Sequence, residues 1–264
     1  MNAEVSLPTS LQKKGYSLKW LDDTGSTNID ALEAGRAGHA APCWFVARRQ
    51  SSGKGRSGRQ WASPEGNLYA SLLLRNPCRM AVAAQLGFVA GIAVHDAIAS
   101  RTGLSTPRLA LKWPNDVLLD GRKLVGMLLE AQTSGNEVCI VVGCGINLVS
   151  TDVPERSSVA SLAELPGGIS LQDMFTALSS AFDDIYSFWH KSEGRLPAER
   201  FAPIRKLWLE RAAGLGSPAS VKLPTGPVSG TFAGIDATGR LELQTENGIQ
   251  LVDAGDLFFP GMMS

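Results

Sequence analysis

Alternating and continuous apolar positions divide much of the chain into predicted strands. The alternation over residues 16–21 and the apolar runs further on are typical of half-buried and buried strands. In chain order, strands are predicted at residues 16–21, 44–47, 67–74, 109–113, 117–119, 123–131 and 137–142. The strands at residues 117–119, 123–131 and 137–142 are expected to pair antiparallel in succession. The turn Asp120-Gly121, between the first and second of these strands, is a hairpin signal.

Helical spacing of apolar residues predicts helices at residues 29–37, 80–102, 170–190 and 197–212. Ser26 or Thr27 is expected to cap the first helix, and Ser170 with Asp173 resembles a capping box for the third. Pro203 predicts that the fourth helix is either kinked or begins there. Residues 1–15 are predicted to be a loose lead-in.

From residue 216 the pattern changes to short strands separated by Gly, Pro, Asn and Asp. Strands are predicted at residues 221–223, 226–235, 241–244 and 249–252, which is typical of a small β-barrel. We therefore predict two domains, residues 1–215 and 216–264. The first is expected to be α+β, with a mixed or antiparallel sheet flanked by helices.

The 264 residues are 44% hydrophobic and 19% charged, with a formal net charge of zero. This composition supports a packed core and argues against disorder and against whole-protein attraction to nucleic acid. No secretory signal is apparent, and Gln85, His95 and Asp96 interrupt the apolar run at residues 80–100. The cysteines show no paired metal spacing. We therefore expect a soluble, cytoplasmic protein with reduced thiols.

Residues 50–61 form a basic loop with the most distinctive chemistry of the chain. Three glycines and three cations fall within residues 53–59, and an indole follows. Closely spaced glycines let backbone N–H groups converge, while Lys54, Arg56 and Arg59 add charge, so the loop suits a small, multiply charged anion. A solvated basic loop or a nucleic-acid contact would have the same composition. However, the loop is predicted between two strands, and it matches neither the phosphate-loop spacing nor a dinucleotide-binding turn that opens a helix.

Three further motifs mark predicted strand ends or turns, where functional sites are usual. They are Gly-Ser-Thr-Asn at residues 25–28, Lys-Trp-Pro-Asn-Asp at 112–116 with Arg-Lys-Leu-Val-Gly at 122–126, and Gly-Cys-Gly-Ile-Asn at 143–147. Each motif also has a purely structural interpretation. Residues 25–28 could be only a helix cap, residues 112–116 a turn after proline, Lys123 an exposed hairpin lysine, and residues 143–147 the ordinary end of a strand. Their joint occurrence favours a binding site.

Together with the basic loop, these motifs resemble the biotin protein ligase family in order and approximate spacing, over about residues 16–262. The resemblance implies a class II synthetase-like catalytic domain and a small C-terminal SH3-like barrel, with no operator-binding domain in front. It implies that biotin and ATP, with Mg²⁺, give biotinyl-5′-AMP and pyrophosphate, and that biotin then passes to one lysine of a biotin carboxyl carrier protein. Neither DNA nor a membrane is an expected partner, and the oligomeric state is left open, a homodimer included.

The resemblance also assigns roles to residues. Arg56 and Lys123 are expected to be catalytic, since cations must offset the repulsion between the biotin carboxylate and the α-phosphate. The expected biotin-binding residues are Ser26, Thr27, Asn28, Gln50, Lys54, Gly55, Arg56 and Lys123. The expected ATP- and adenylate-binding residues are Arg56, Arg59, Trp61, Lys112, Asn115, Asp116 and Asn147. The last three are associated with the nucleotide and its magnesium ion, without a defined metal ligand.

One departure lies in the loop, which the family often writes Gly-Arg-Gly-Arg-x-Gly-Arg: here Lys54 takes the first arginine position. Lysine keeps the charge but lacks the planar two-pronged donor, so weaker retention of the adenylate is expected. The rival functions are lipoyl transfer, which shares the adenylation chemistry, and nucleic-acid binding by the loop and barrel. The loop around Gln50 and the attached barrel favour biotin over lipoate, and the zero net charge argues against nucleic acid.

Overall fold

The computed structural model describes residues 5–134, 137–149, 158–223 and 226–259. Its larger sheet consists of β1 (Ser17–Thr24), β2 (Cys43–Gln50), β3 (Leu68–Arg75), β4 (Leu109–Lys112), β5 (Asp116–Leu119), β6 (Arg122–Ser134) and β7 (Glu137–Ile146). The strand order is β1-β2-β3-β7-β6-β5-β4, with β1 and β2 parallel and the other neighbours antiparallel. The sheet confirms the predicted antiparallel succession of β5, β6 and β7.

Helices cover both faces of this sheet, which explains why several strands are apolar along their whole length. They are α1 (Thr9–Lys13), α2 (Thr27–Arg36), α3 (Gln85–Thr102), α4 (Leu171–His190) and α5 (Pro197–Leu209). Phe45, Leu73 and Val141 pack with Ala31 of α2 on one face, while Trp44 faces the aromatic rings of α4 on the other. The prediction of an α+β fold with a sheet flanked by helices is confirmed.

Several predicted boundaries are wrong, because they depend on how these segments pack in the folded chain. Residues 5–15 are not a loose lead-in, because Val5, Leu7 and Leu11 are buried in the main core and α1 forms there; residues 1–4 lie outside the described part. Helix α3 begins at Gln85 instead of residue 80, since a separate 3-10 turn, Met80–Val82, comes first.

The helix caps follow the sequence in part. The Ser170 hydroxyl accepts a 3.0 Å hydrogen bond from Asp173 N–H, as predicted for the start of α4. Ser26 occupies the N-cap position of α2 but its side chain makes no cap hydrogen bond. Helix α5 begins at Pro197 and continues through Pro203, so the second proline does not start the helix.

The C-terminal sheet is antiparallel and contains β8 (Pro218–Leu223), β9 (Gly226–Ile235), β10 (Leu241–Thr245), β11 (Gly248–Val252) and β12 (Asp256–Phe258). Its order is β11-β10-β9-β8-β12, and β12 was not predicted because it is only three residues long. The indole N–H of Trp113 donates to the Gly239 carbonyl (3.1 Å), which joins this sheet to the end of β4. Within the described ranges, no helix is long and apolar enough to cross a membrane.

Candidate active site

A cavity of about 250 Å³ lies over β6 and β7, between the start of α2, the basic loop and β12. The predicted site residues that line it are Ser26, Thr27, Asn28, Gln50, Lys54, Gly55, Arg56, Arg59, Trp61, Asn115, Asp116, Lys123 and Asn147. These residues come from well-separated segments of the sequence, and folding brings them to one place.

Lys112 is the predicted site residue that does not line the cavity. Its side chain is buried at the end of β4, and its ammonium nitrogen lies 5.4 Å from the centroid of the Phe258 ring on β12. Burial lowers the pKa of Lys112. The Lys112 side chain is therefore directed to the C-terminal sheet, while its neighbours Asn115 and Asp116 face the cavity.

The basic loop is a short hairpin, and its only helical turn is three residues long, so it is not a dinucleotide-binding turn that leads into a helix. Gly55 N–H donates to the Arg59 carbonyl at 2.7 Å. The tip is a 3-10 turn, Arg56–Gly58, in which Ser57 and Gly58 have φ values of 56° and 73°. Because these left-handed values reverse the chain tightly, the glycine spacing serves the turn itself as well as the approach to an anion.

The two loop arginines reach across the cavity to other elements. Arg56 Nη1 donates to Asn115 Oδ1 (3.2 Å) and to the Gly255 carbonyl (3.5 Å). Arg59 Nη2 lies 2.7 Å from both carboxylate oxygens of Asp256 on β12. Burial acts to raise the pKa of Asp256, but the hydrogen bond and charge of Arg59, with Arg56 nearby, outweigh it and hold the pKa below its usual value. The C-terminal sheet thus holds the loop over the cavity.

Lys123 lies between a carboxylate and an aromatic ring. Its Nζ is 2.8 Å from Asp116 Oδ1, across the β5–β6 hairpin, and 5.5 Å from the centroid of the Trp61 ring. Its side chain keeps about a third of its surface exposed (31%). An anion entering the cavity can therefore reach this ammonium group without unfolding the hairpin.

Two glycines form the floor beneath Trp61. Gly126 on β6 and Gly145 on β7 are register partners, and a Cβ atom on either would lie 2.7 or 2.6 Å from the indole. Such a separation is too short for non-bonded atoms, so a planar ring can lie on the sheet here only because both residues are glycine. The Gly-Cys-Gly motif is therefore part of the site and more than a strand exit.

Buried hydroxyl and amide groups surround the end of the cavity at the start of α2. Thr27 N–H donates to Gln50 Oε1 (2.9 Å), and Gln50 Nε2 donates to Ser63 Oγ (3.0 Å). Ser71 Oγ lies 2.7 Å from Thr27 Oγ1 and 2.6 Å from Asn28 Oδ1. Because these groups are partnered, and all of them except the half-buried Gln50 are buried, they form a polar surface of defined shape that suits a neutral, polar ring.

Two other lining residues are held by the protein. Asn147 Nδ2 donates to the Ala160 carbonyl (3.1 Å), which ties the end of β7 to the following segment. Burial raises the pKa of the Cys144 thiol to about 12, so this cysteine does not supply a thiolate nucleophile to the cavity.

Three residues that complete the site have no motif of their own in the sequence. Ser71 offers a weak signal, as a hydroxyl inside the otherwise apolar strand β3. Glu130 on β6 accepts a hydrogen bond from Asn28 Nδ2 (2.8 Å). Asp256 has no local signal, because its partner Arg59 is 197 residues away in the chain.

Comparisons with known proteins agree with this geometry. Residues 28–147 match the Biotin/lipoate A/B protein ligase family, and residues 214–259 match the Biotin protein ligase C terminal domain. The chain is 39% identical to a biotin–[acetyl-CoA-carboxylase] ligase of Paracoccus denitrificans, over 90% of this chain and 98% of that protein. It is 32% identical to the ligase of the same name from Mycobacterium tuberculosis, over 96% and 94% of the two chains.

A solved structure gives the same result for the fold. The biotin protein ligase of Aquifex aeolicus, in complex with biotin and ATP, aligns with a TM-score of 0.76 at 26% identity. The alignment covers 92% of this chain and 97% of that one. It includes both the large sheet and the C-terminal sheet.

Proposed function

Because this chain belongs to the biotin protein ligase family, we infer that the cavity over β6 and β7 holds biotin and ATP together. The enzyme forms biotinyl-5′-AMP from the two substrates and then transfers biotin to a protein, which confirms the function expected from the motifs. The observation that supports the placement is that one cavity contains both the polar pocket at Thr27 and the cations Arg56 and Lys123.

The first step forms a bond between a biotin carboxylate oxygen and the α-phosphorus of ATP, while the bond from that phosphorus to pyrophosphate breaks. We place the ureido ring against Thr27, Asn28 and Gln50, with the carboxylate directed to Lys123. Both reacting groups are anionic, so Lys123 and Arg56 lower the barrier by offsetting negative charge as the oxygens approach.

In the second step the amine nitrogen of an acceptor lysine forms an amide bond with the acyl carbon. The bond from that carbon to the AMP oxygen breaks, and the amine loses a proton. Lys123 serves this step too, because its ammonium group stabilises the phosphate of the leaving AMP. Following the family resemblance, we propose a biotin carboxyl carrier protein as the acceptor.

The oxygen groups present fit a magnesium ion that arrives with ATP. Mg²⁺ is usually held by one or two carboxylates together with substrate phosphates, and Asp116 supplies one carboxylate at the cavity wall. We propose that Asp116 and Asn115 hold the ion, which would neutralise phosphate charge when bound. Among the described residues, no cluster of three or more His, Cys, Asp or Glu could hold a metal without a substrate.

We further propose that residues 1–215 act as the catalytic domain and residues 216–264 as an SH3-like barrel domain. The strand order β11-β10-β9-β8-β12 and the uniformly antiparallel pairing support this assignment. The contacts of Arg56 with Gly255, just before β12, and of Arg59 with Asp256 on β12 support a role for the small domain in keeping the loop closed.

The decisive experiment supplies labelled biotin and Mg·ATP, with and without a biotin carboxyl carrier domain. We expect biotin-dependent exchange of pyrophosphate into ATP without the acceptor, and label on the acceptor when it is present. Lipoate in excess should not compete, and salt-dependent binding to nucleic acid should be absent because the formal net charge of the chain is zero. Failure to form the acyl-adenylate would contradict the proposed site.

A further inference from the structure

Glu130 does not line the cavity itself, but it contacts Asn28, which does. Its Oε2 accepts a 2.8 Å hydrogen bond from Asn28 Nδ2, whose amide nitrogen also lies 3.3 Å from the Leu128 carbonyl. On the other side, Asn28 Oδ1 is 2.6 Å from Ser71 Oγ. Asn28 is 4% exposed, and a Cβ at Gly143 would lie 2.0 Å from its Oδ1. The Asn28 amide is therefore confined, and its hydrogen-bond partners determine whether its nitrogen or its oxygen faces Glu130.

The Glu130 carboxylate, at 2.8 Å, and the Leu128 carbonyl, at 3.3 Å, determine that orientation together, and the carboxylate is the nearer acceptor. A carboxylate can only accept, so the Asn28 nitrogen must face it and the Asn28 oxygen must face Ser71. Ser71 has one hydroxyl proton and gives it to Asn28. Toward Thr27 Oγ1, 2.7 Å away, Ser71 can then only accept, so the single Thr27 hydroxyl proton lies on this pair instead of on the longer 3.1 Å contact with Gln50 Oε1.

The hydrogen bonds nearer to the basic loop take their direction from a backbone donor, Thr27 N–H. Gln50 Oε1 accepts from Thr27 N–H, so Gln50 Nε2 faces Ser63 Oγ at 3.0 Å. Ser63 in turn donates its proton to the Trp61 carbonyl at 3.1 Å. Hydrogen bonds of fixed direction thus run along the polar end of the cavity: Glu130 contributes to those of Asn28, Ser71 and the Thr27 hydroxyl, while the Thr27 backbone N–H fixes those of Gln50 and Ser63.

We propose that Glu130 is a positioning residue for biotin, which acts by helping to fix the direction of the hydrogen bonds of Asn28, Ser71 and the Thr27 hydroxyl. The inference rests on the proposed placement of the ureido ring against Thr27, Asn28 and Gln50. That ring carries one carbonyl acceptor and two N–H donors, so its affinity depends on which pocket groups donate and which accept. A pocket of fixed direction also rejects analogues whose donors and acceptors are exchanged.

The first test is Glu130→Gln, which keeps the size of the side chain but can both donate and accept, so only the longer contact with the Leu128 carbonyl still favours the present direction of the Asn28 amide. We expect the KM for biotin to rise about tenfold. The KM for ATP and the kcat at saturating biotin should stay within about twofold of wild type. Preference for biotin over 2-iminobiotin, in which an N–H group replaces the ureido oxygen, should fall by about fivefold. Glu137→Gln, at the exposed start of β7, is the matched control and should change none of these values.

The second test exchanges the two partners. Asn28→Asp alone places two carboxylates together and should raise the KM for biotin more than Glu130→Gln does. In Asn28→Asp combined with Glu130→Gln, the new amide donates to the new carboxylate, whose other oxygen still accepts from Ser71. We expect the double variant to bind biotin clearly more tightly than Asn28→Asp alone, with incomplete recovery because a carboxylate oxygen then faces the Leu128 carbonyl. Without that recovery, or with equal effects on ATP, Glu130 has only a general structural role and the proposal fails.

Thr27→Val and Gln50→Leu separate this proposal from the placement of biotin. If both leave the biotin affinity unchanged, the placement itself is wrong. If both weaken biotin binding while Glu130→Gln has no effect on biotin KM or selectivity, biotin is placed correctly and the role of Glu130 is overturned.

Discussion

Lys123 is held by Asp116 and Trp61 at the wall of the cavity in which we propose that both substrates bind. We predict that Lys123→Ala lowers biotin-dependent ATP–pyrophosphate exchange by about 10²–10³-fold, as expected for the loss of a group that stabilises charge in the transition state. The free energy of unfolding should change by no more than about 1 kcal/mol, because the ion pair is partly exposed. Lys206→Ala, on the exposed side of α5, is the control and should exchange pyrophosphate normally.

Lys54 tests the departure of the loop from the family's usual sequence. It lines the cavity next to Gly55, where an arginine would offer a two-pronged donor to the adenylate. We predict that Lys54→Arg slows the dissociation of biotinyl-5′-AMP about threefold. The measurement is the release of labelled adenylate after a chase, and equal off-rates for the two proteins would contradict the prediction.

Among the elements, β12 and the basic loop are coupled through Asp256 and Arg59. We predict that Asp256→Asn makes the unliganded loop more open to trypsin at Arg56 and Arg59 and speeds adenylate release roughly threefold, since a partly exposed charged pair contributes modestly. Asp253→Asn, an exposed carboxylate nearby on the same segment, is the matched control. Identical cleavage rates for all three proteins would show that β12 does not hold the loop.

The turn between β9 and β10 depends on the charge of Asp236. Burial acts to raise the pKa of Asp236, but hydrogen bonds from Thr238 and Arg240 outweigh it and lower the pKa to about 2. A carboxyl with a depressed pKa stabilises the fold above its unfolded pKa, 3.8 here, and loses that contribution as the pH falls through the folded value. We therefore expect the difference in unfolding free energy between wild type and Asp236→Asn to be constant above pH ~4 and to shrink between pH ~4 and ~2.

At the scale of the whole molecule, the turn between β9 and β10 of the C-terminal sheet packs against helix α3 at Gly239. A Cβ there would lie 2.6 Å from the Phe88 ring of α3, and φ is +94°. Gly248 has a similar φ of +105° but open space around it. We predict that Gly239→Ala lowers the free energy of unfolding by at least about 1 kcal/mol more than Gly248→Ala, because only the first variant overpacks the contact between the C-terminal sheet and α3. Equal losses in denaturant titrations would show that this contact adds no stability.

Much of the architecture was predictable, because burial of one face leaves a local periodic pattern in the sequence. Strands β1 to β7 and helices α2 and α4 were all anticipated, the latter with its Ser170 cap. The start of α3 and the burial of Leu11 were not, since both depend on neighbours that are distant in sequence. β12 is too short to show any periodicity.

The chemical groups of the candidate site could be recognised from the sequence alone: a glycine-rich cationic loop, a lysine in a hairpin, and polar groups at the start of a helix. These features are local, because turn geometry and charge are properties of adjacent residues. Which of these groups contact one another depends on the tertiary structure and could not be recognised from the sequence. The tertiary structure directed Lys112 to Phe258, brought Asp256 to Arg59 and placed Glu130 behind Asn28. The physical reason is that a hydrogen bond or ion pair between distant segments depends on how the whole chain packs, and no local pattern records it.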